Sequence, residues 1–191
     1  MSRVCPITPS ELPRDLAQIF ETYAHAYGHF HNQAAALAHV PPALRHLAGL
    51  LIDLRAQATL RRRHLELAVV TVSKLNACSY CIAHHAPVLE VEGLSAEGVA
   101  RLPVFADHPE LDAVDRLVVA YATQVTTDAR RVSDATFAAL RTHFSEAEIV
   151  ELTLRIALCG FFNRFNDALR IEIEPELLPE AAAPATLATQ A

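Results

Sequence analysis

Apolar positions recur every three to four residues along most of this chain, the spacing of helices that bury one face. Leu16, Ile19, Phe20 and Tyr23 keep that spacing within the first 40 residues, and Ser10 is placed to cap the start. Pro41-Pro42 predicts the end of this segment, since proline lacks the helical donor and restricts the residue before it. A second helix is expected from about 43 to 57, and a third from near Arg61 through HLELAVVTVSKL. Asn76 interrupts it and Cys78 starts a fourth, which Gly93 closes; Ser95 then caps a short helix. Helices are expected over 112–126, 133–143 and 146–169, the last opening on Ser145-Glu146-Ala147-Glu148, a capping box. RIEIEPELLPE alternates and is expected to be extended. The residues from Pro179 have Leu187 as their one large apolar side chain and are expected to form a flexible tail, leaving one domain over 1–178.

Composition reinforces helix over sheet. The chain is 52% hydrophobic but only 6% aromatic, with five glycines, and Ala and Leu carry most of the apolar content. An all-α fold follows. No stretch approaches about 18 uninterrupted apolar residues, so no membrane span is expected. The N-terminus lacks a charged-then-apolar signal pattern, which makes a reducing cytoplasm the default. A formal charge of −6 argues against a nucleic-acid partner. Arg61-Arg62-Arg63, the basic run, is expected to be a solvated helix turn or a subunit contact.

Of the four cysteines, Cys5 lies in a Pro-flanked terminus and Cys159 in the apolar run LTLRIALCGFF, where it reads as a core residue. Cys78 and Cys81 are close enough to act together, in NACSYCIAHH. Zinc is one reading, with second-segment ligands sought among His25, His29, His31 and His39. Residues at i, i+3 and i+4 of one helix make a patch rather than a tetrahedron, however, so no metal is assigned. Redox chemistry uses the spacing better. Cys78 opens a helix, where the dipole favours thiolate; Cys81 follows on the same face; and His85 lies one turn beyond Cys81.

Glu66 adds a fourth group. If the chain reverses at Asn76-Ala77, Glu66 lies about 15 Å back from the turn and His85 about 12 Å forward, so the two are level across the helix pair. A carboxylate there orients the imidazole as a general base. Tyr80 is expected to form a pocket wall, its hydroxyl being a possible donor, and His84 to point outward. Pro87, two residues after His85, is expected to end or kink the helix near the base. The chain also echoes itself: Glu151 stands twelve residues before Asn163 as Glu66 does before Cys78, with Asn166 in the place of Cys81, so two quasi-repeated halves are considered.

The pattern Glu-x11-Cys-x-Tyr-Cys-x3-His (Glu66, Cys78, Tyr80, Cys81, His85) resembles the core of the alkylhydroperoxidase AhpD-like proteins, within the carboxymuconolactone decarboxylase superfamily. LRRRHLELAVVTVSKLN resembles the same core, and ALCGFFNRFNDALRIE the peroxidase-related branch; the resemblance covers residues 40–175. It implies an AhpD-like helical bundle, a homo-oligomer (trimer or hexamer) and thiol-dependent reduction of hydroperoxides without a cofactor. It further implies that Glu66 and His85 relay a proton from the Cys78/Cys81 pair, with an unidentified thiol or protein as reductant. The intact cysteine pair argues against the decarboxylase activity. Alternatives are a dithiol–disulfide oxidoreductase serving a protein partner, and a non-catalytic helical oligomer that binds a metal or small molecule.

Overall fold

The computed structural model describes residues 1–178, and within them there are helices and no strand. A short 3-10 turn precedes α1 (Arg14–Glu21), which runs into a wide π-type segment, Thr22–Tyr27. α2 (His31–Leu37) follows. α3 (Pro41–Ala43) continues through a second π-type segment, Leu44–Ala48, into α4 (Gly49–Gln57). The remainder is α5 (Arg62–Leu75), α6 (Ser79–Val91), α7 (Ala96–Arg101), α8 (Ala113–Asp128), α9 (Asp134–Arg141) and α10 (Glu146–Leu169). Among the described residues no helix is long and apolar enough to cross a membrane.

α5 is the central element: every residue from Glu66 to Ser73 is buried, so it has neighbours on all sides. It packs on α6, α8 and α10. One apolar cluster joins Val70 and Val72 of α5 to Val118, Val119, Leu152 and Ile156. A second gathers Phe20, Tyr23, Ala34, Leu44 and Leu51 around Cys78, Tyr80 and Cys81. The thiol pair therefore sits at the meeting of the N-terminal helices with the α5–α6–α10 body.

The reversal between α5 and α6 is a Schellman closure. The Ala77 amide donates to the Lys74 carbonyl (3.1 Å) and the Cys78 amide to the Ser73 carbonyl (2.9 Å), satisfying carbonyls that the helix end leaves free. The motif requires a left-handed residue, and Ala77 takes it at φ 55°, where a Cβ is disfavoured. Cys78 is then the N-cap of α6.

Several expectations change. Thr8, not Ser10, forms the first capping box, on the 3-10 turn Pro9–Glu11. Pro41 and Pro42 begin a helix rather than end one, because in the first turn the missing amide has no intrahelical partner to lose. Arg63 is not solvated. It donates to Asp115 Oδ2 at 3.0 and 2.8 Å and to the carbonyls of Glu92 and Glu110, tying α5 to α8 and to the α6–α7 connection. α6 runs through Pro87 to Val91, so the helix does not end beside His85. The echo around Glu151 lies on one unbroken helix, without the reversal that defines the first copy. RIEIEPELLPE forms no strand over its described part and contains a 3-10 turn at Pro175–Leu177; the segment from Pro179 lies outside the described residues. The Ser145–Glu148 capping box is present as read.

Ala77 is exposed, so Ala77→Gly removes left-handed strain without losing packing. It is expected to stabilise the fold by about 0.5–1 kcal/mol in urea unfolding. Asp115→Ala leaves the Arg63 charge unpaired in a largely buried setting, and is expected to cost about 3 kcal/mol in the same measurement.

Candidate active site

The reversal at Ala77 lays α6 back along α5, and the two predicted partners meet: His85 Nδ1 lies 2.8 Å from Glu66 Oε2. Glu66 is 4% exposed, with Arg62 Nε 3.6 Å from its other oxygen. A carboxylate facing Nδ1 fixes the tautomer with the proton on that nitrogen and leaves Nε2 as an acceptor.

A cavity of about 60 Å³ is lined by Glu66, His85 and Cys81, beneath Tyr23, Tyr27 and Phe30. It shares Tyr27, Phe30, Leu65, Glu66, His85 and Arg155 with a larger cavity of about 460 Å³, whose rim includes the exposed His25, His29 and Arg55. The thiols are free and differently placed. Cys81 faces the small cavity and accepts a hydrogen bond from Asn166 Nδ2 (3.3 Å). Cys78 is fully buried and lines neither cavity. Its interaction with the Cys81 thiol, and then burial, push the Cys78 thiol well above the ordinary cysteine range. These effects oppose the helix dipole, which favours thiolate at Cys78.

Arg155 of α10 lines both cavities and is 4% exposed. Its Nε contacts Glu151 Oε1 at 3.3 Å and its Nη1 donates to the Tyr27 hydroxyl at 3.2 Å, so the buried charge is paired. Cys159 is a core thiol beside Ser73, pushed up to about 12 by burial.

His84 differs from expectation, and of the two roles expected for Tyr80 its hydroxyl takes that of donor. Tyr80 lines neither cavity; its hydroxyl donates to Glu174 Oε1 at 2.9 Å. His84 is buried rather than outward, stacked between Phe30 (4.6 Å) and Tyr80 (4.2 Å). Its Nδ1 faces the Tyr80 carbonyl (2.7 Å); its Nε2 faces the His29 carbonyl (2.8 Å), with Glu174 Oε2 at 2.8 Å as counter-ion. Acceptors at both nitrogens suit only the imidazolium. Burial acts to lower His84, but the Glu174 carboxylate and the two carbonyls outweigh it and leave it raised. Burial likewise acts to raise Glu174, and donors from His84, Asn32 and Tyr80 leave it lowered. Glu174 arrives from beyond α10, a position that no local pattern around NACSYCIAHH announces. The one sequence signal for Asn166 and Glu151 is the echo; for Arg155 it is a charge inside an apolar run.

Of the histidines considered for zinc, His25 and His31 lie 6.1 Å apart between ring centroids, His25 being 3.3 Å from Glu21 and His31 against the edge of Phe20, while His39 contacts the Cys5 carbonyl at 2.7 Å. Among the described residues no three His, Cys, Asp or Glu side chains form a metal-holding group.

The fold that carries this cysteine pair and the carboxylate-held imidazole has counterparts among solved structures. An uncharacterized peroxidase-related protein from Ralstonia eutropha JMP134, with an alkylhydroperoxidase AhpD core, matches at a TM-score of 0.74 and 24% identity, over 92% of this chain and 94% of that one. The apo debrominase Bmp8 matches at 0.74 and 21% identity, over 90% and 92%. By sequence, the uncharacterized protein YdfG of Bacillus subtilis (strain 168) is 24% identical over 114 residues, 59% of this chain and 78% of YdfG. No protein-family profile matches the chain. The fold is AhpD-like.

Native alkylation with iodoacetamide at pH 8 is expected to label exposed Cys5 first, then Cys81, with Cys78 and Cys159 slowest; peptide mapping reads the order. Glu174→Gln tests the inner ion pair. The lowered carboxylate stabilises the fold above its unfolded pKa of about 4.5, and the raised imidazole below its unfolded pKa of about 6.5. The variant's stability deficit is therefore expected to be largest near pH 5–6. Urea titrations at several pH values should show it shrinking as Glu174 protonates in acid and as His84 deprotonates in base.

Proposed function

We propose that this chain is a thiol-dependent peroxidase in which Cys81 is the attacking thiol and Cys78 the resolving one. The observation that carries the reading is the Glu66–His85 pair at 2.8 Å, facing the cavity that Cys81 lines. His85 Nε2 takes the Cys81 proton, directly or through water, for which about 60 Å³ has room. Glu66 stabilises the imidazolium so formed. The thiolate attacks the terminal peroxide oxygen; the O–O bond breaks, Cys81 becomes a sulfenic acid, and the departing alkoxide takes the proton from His85 to leave as alcohol. Cys78 then attacks the sulfenic sulfur, forming the disulfide and releasing water. An external dithiol restores the pair. Burial of both sulfurs favours a small dithiol over direct exchange with a protein. The larger cavity, about 460 Å³ with Tyr27 and Phe30 on its wall, favours an organic hydroperoxide. The reading places the protein in a reducing compartment, as a homo-oligomer.

That cavity also supports a second reading. Bmp8 is a debrominase, and a cysteine-to-alanine variant of it has been crystallised with 2,3,4-tribromopyrrole. Here the same dithiol would replace an aryl bromine with hydrogen, the two thiols becoming a disulfide as bromide and a proton leave.

One equivalent of cumene hydroperoxide is expected to convert the peptide bearing Cys78 and Cys81 to a disulfide. Cys78→Ser and Cys81→Ser should each abolish dithiothreitol-dependent turnover. Glu66→Gln and His85→Phe are expected to slow it by about 10²–10⁴-fold. Full turnover by the double-serine variant would sink the reading. Bromide release from tribromopyrrole without peroxide turnover would establish the second.

A further inference from the structure

Besides the Glu66–His85 pair, Cys81 meets a chain of amides that the proton relay does not use. Asn166 is 1% exposed and donates from Nδ2 to Cys81 Sγ at 3.3 Å. Its Oδ1 accepts from Gln33 Nε2 at 2.9 Å, and Gln33 Oε1 accepts from the Tyr23 hydroxyl; both of those residues are buried. The Asn166 backbone is fixed as well. Its carbonyl accepts the Ile171 amide (2.9 Å) in a helix closure like that of α5, with Arg170 in the left-handed position.

We infer that Asn166, oriented by Gln33 and Tyr23, is the donor that stabilises the Cys81 thiolate. Sulfur gains little from an amide N–H as a thiol and much more as an anion, because hydrogen bonds to charged acceptors are the strong ones. The directions run one way along the chain. Burial holds the Tyr23 phenol well above its ordinary range, so it remains a donor; Gln33 must then present its oxygen to Tyr23 and its amine to Asn166. That leaves the Asn166 amine for Cys81. Without the chain, Asn166 can rotate and offer its oxygen, which favours the neutral thiol.

The ionisable groups sharing the small cavity with Cys81 are Glu66 on α5, His85 on α6, Arg155 and Cys159 on α10, and Tyr23 and Tyr27 from the segment after α1. Cys78, which lines neither cavity, also interacts with the Cys81 thiol. Among the groups around Cys81, Asn166 donates to its sulfur without itself titrating. The division of labour is thus specific: His85 removes the proton, and Asn166 holds the charge that remains.

The inference rests on Cys81 being the reactive thiol, and its test uses no peroxide. The rate of Cys81 alkylation by iodoacetamide is followed against pH on the reduced full chain, with Cys81 resolved by peptide mapping. Asn166→Ala is expected to raise the pH of half-maximal alkylation by about one unit, a roughly tenfold slower reaction near neutrality. Asn166→Asp, matched in shape but anionic and without the donor, should raise it further. Gln33→Met frees Asn166 without touching sulfur and should raise it less, which keeps the test open if position 166 does not tolerate change. Helicity and thermal midpoint confirm a folded sample. An unchanged profile in folded Asn166→Asp and Gln33→Met overturns the inference. A shifted profile in a protein that turns over no peroxide supports it while removing the peroxidase reading.

Discussion

Three residues, Asn76 to Cys78, decide where everything else in the site can be. The Cys78 amide ends α5 by bonding the Ser73 carbonyl, and the Cys78 carbonyl begins α6 by accepting from Ile82. One residue is shared by two helices, so their relative placement has little freedom. Glu66 on the first and His85 on the second are brought level by counting back and forward from that point. The left-handed Ala77 is the local cost of so short a reversal.

Around this frame, buried charges are paired. Glu66 faces His85 and Arg62; Glu151 faces Arg155, which also meets Tyr27; Glu174 faces His84 and Tyr80. Isolated charges at such depth would be destabilising, and paired ones hold their geometry because breaking a pair leaves a bare charge. The result is an environment that treats two neighbouring thiols differently. Cys78 is pushed up by its interaction with Cys81 and by burial, whereas Cys81 has an acceptor within one helical turn and a donor from α10. Chemical asymmetry arises from surroundings, since the two side chains are identical.

Features set by local physics are legible in the sequence. Helical periodicity, the Ser95 and Ser145 caps and the interruption at Asn76 depend on neighbours a few residues away, and each is present. Glu66 and His85 were also legible, because a single turn and a fixed rise per residue relate them. Contacts made by distant segments are not legible in the sequence. His84 looked outward on its own helix, yet Phe30 and Glu174 enclose it from 54 residues before and 90 after. Arg63 looked solvated until α8 supplied Asp115. Pro41-Pro42 was ambiguous in principle: a proline pair marks a helix boundary, and only the following segment tells which end. Asn166 was singled out by the echo, but as a lost thiol. Its contact with Cys81 depends on how α10 crosses the α5–α6 pair.

A shared residue between two helices has a consequence for how chain length can vary. Each residue added within α6 before position 85 would rotate the imidazole by about 100° around the helix, and each added in α5 after position 66 would do the same to the carboxylate. Side chains along this stretch can be exchanged one at a time, but its length cannot drift. Insertions and deletions among descendants of this sequence are therefore confined to segments that no such register crosses, such as the loops on either side of α9. The span from Glu66 to His85 behaves as a ruler whose divisions are fixed even where its material is not.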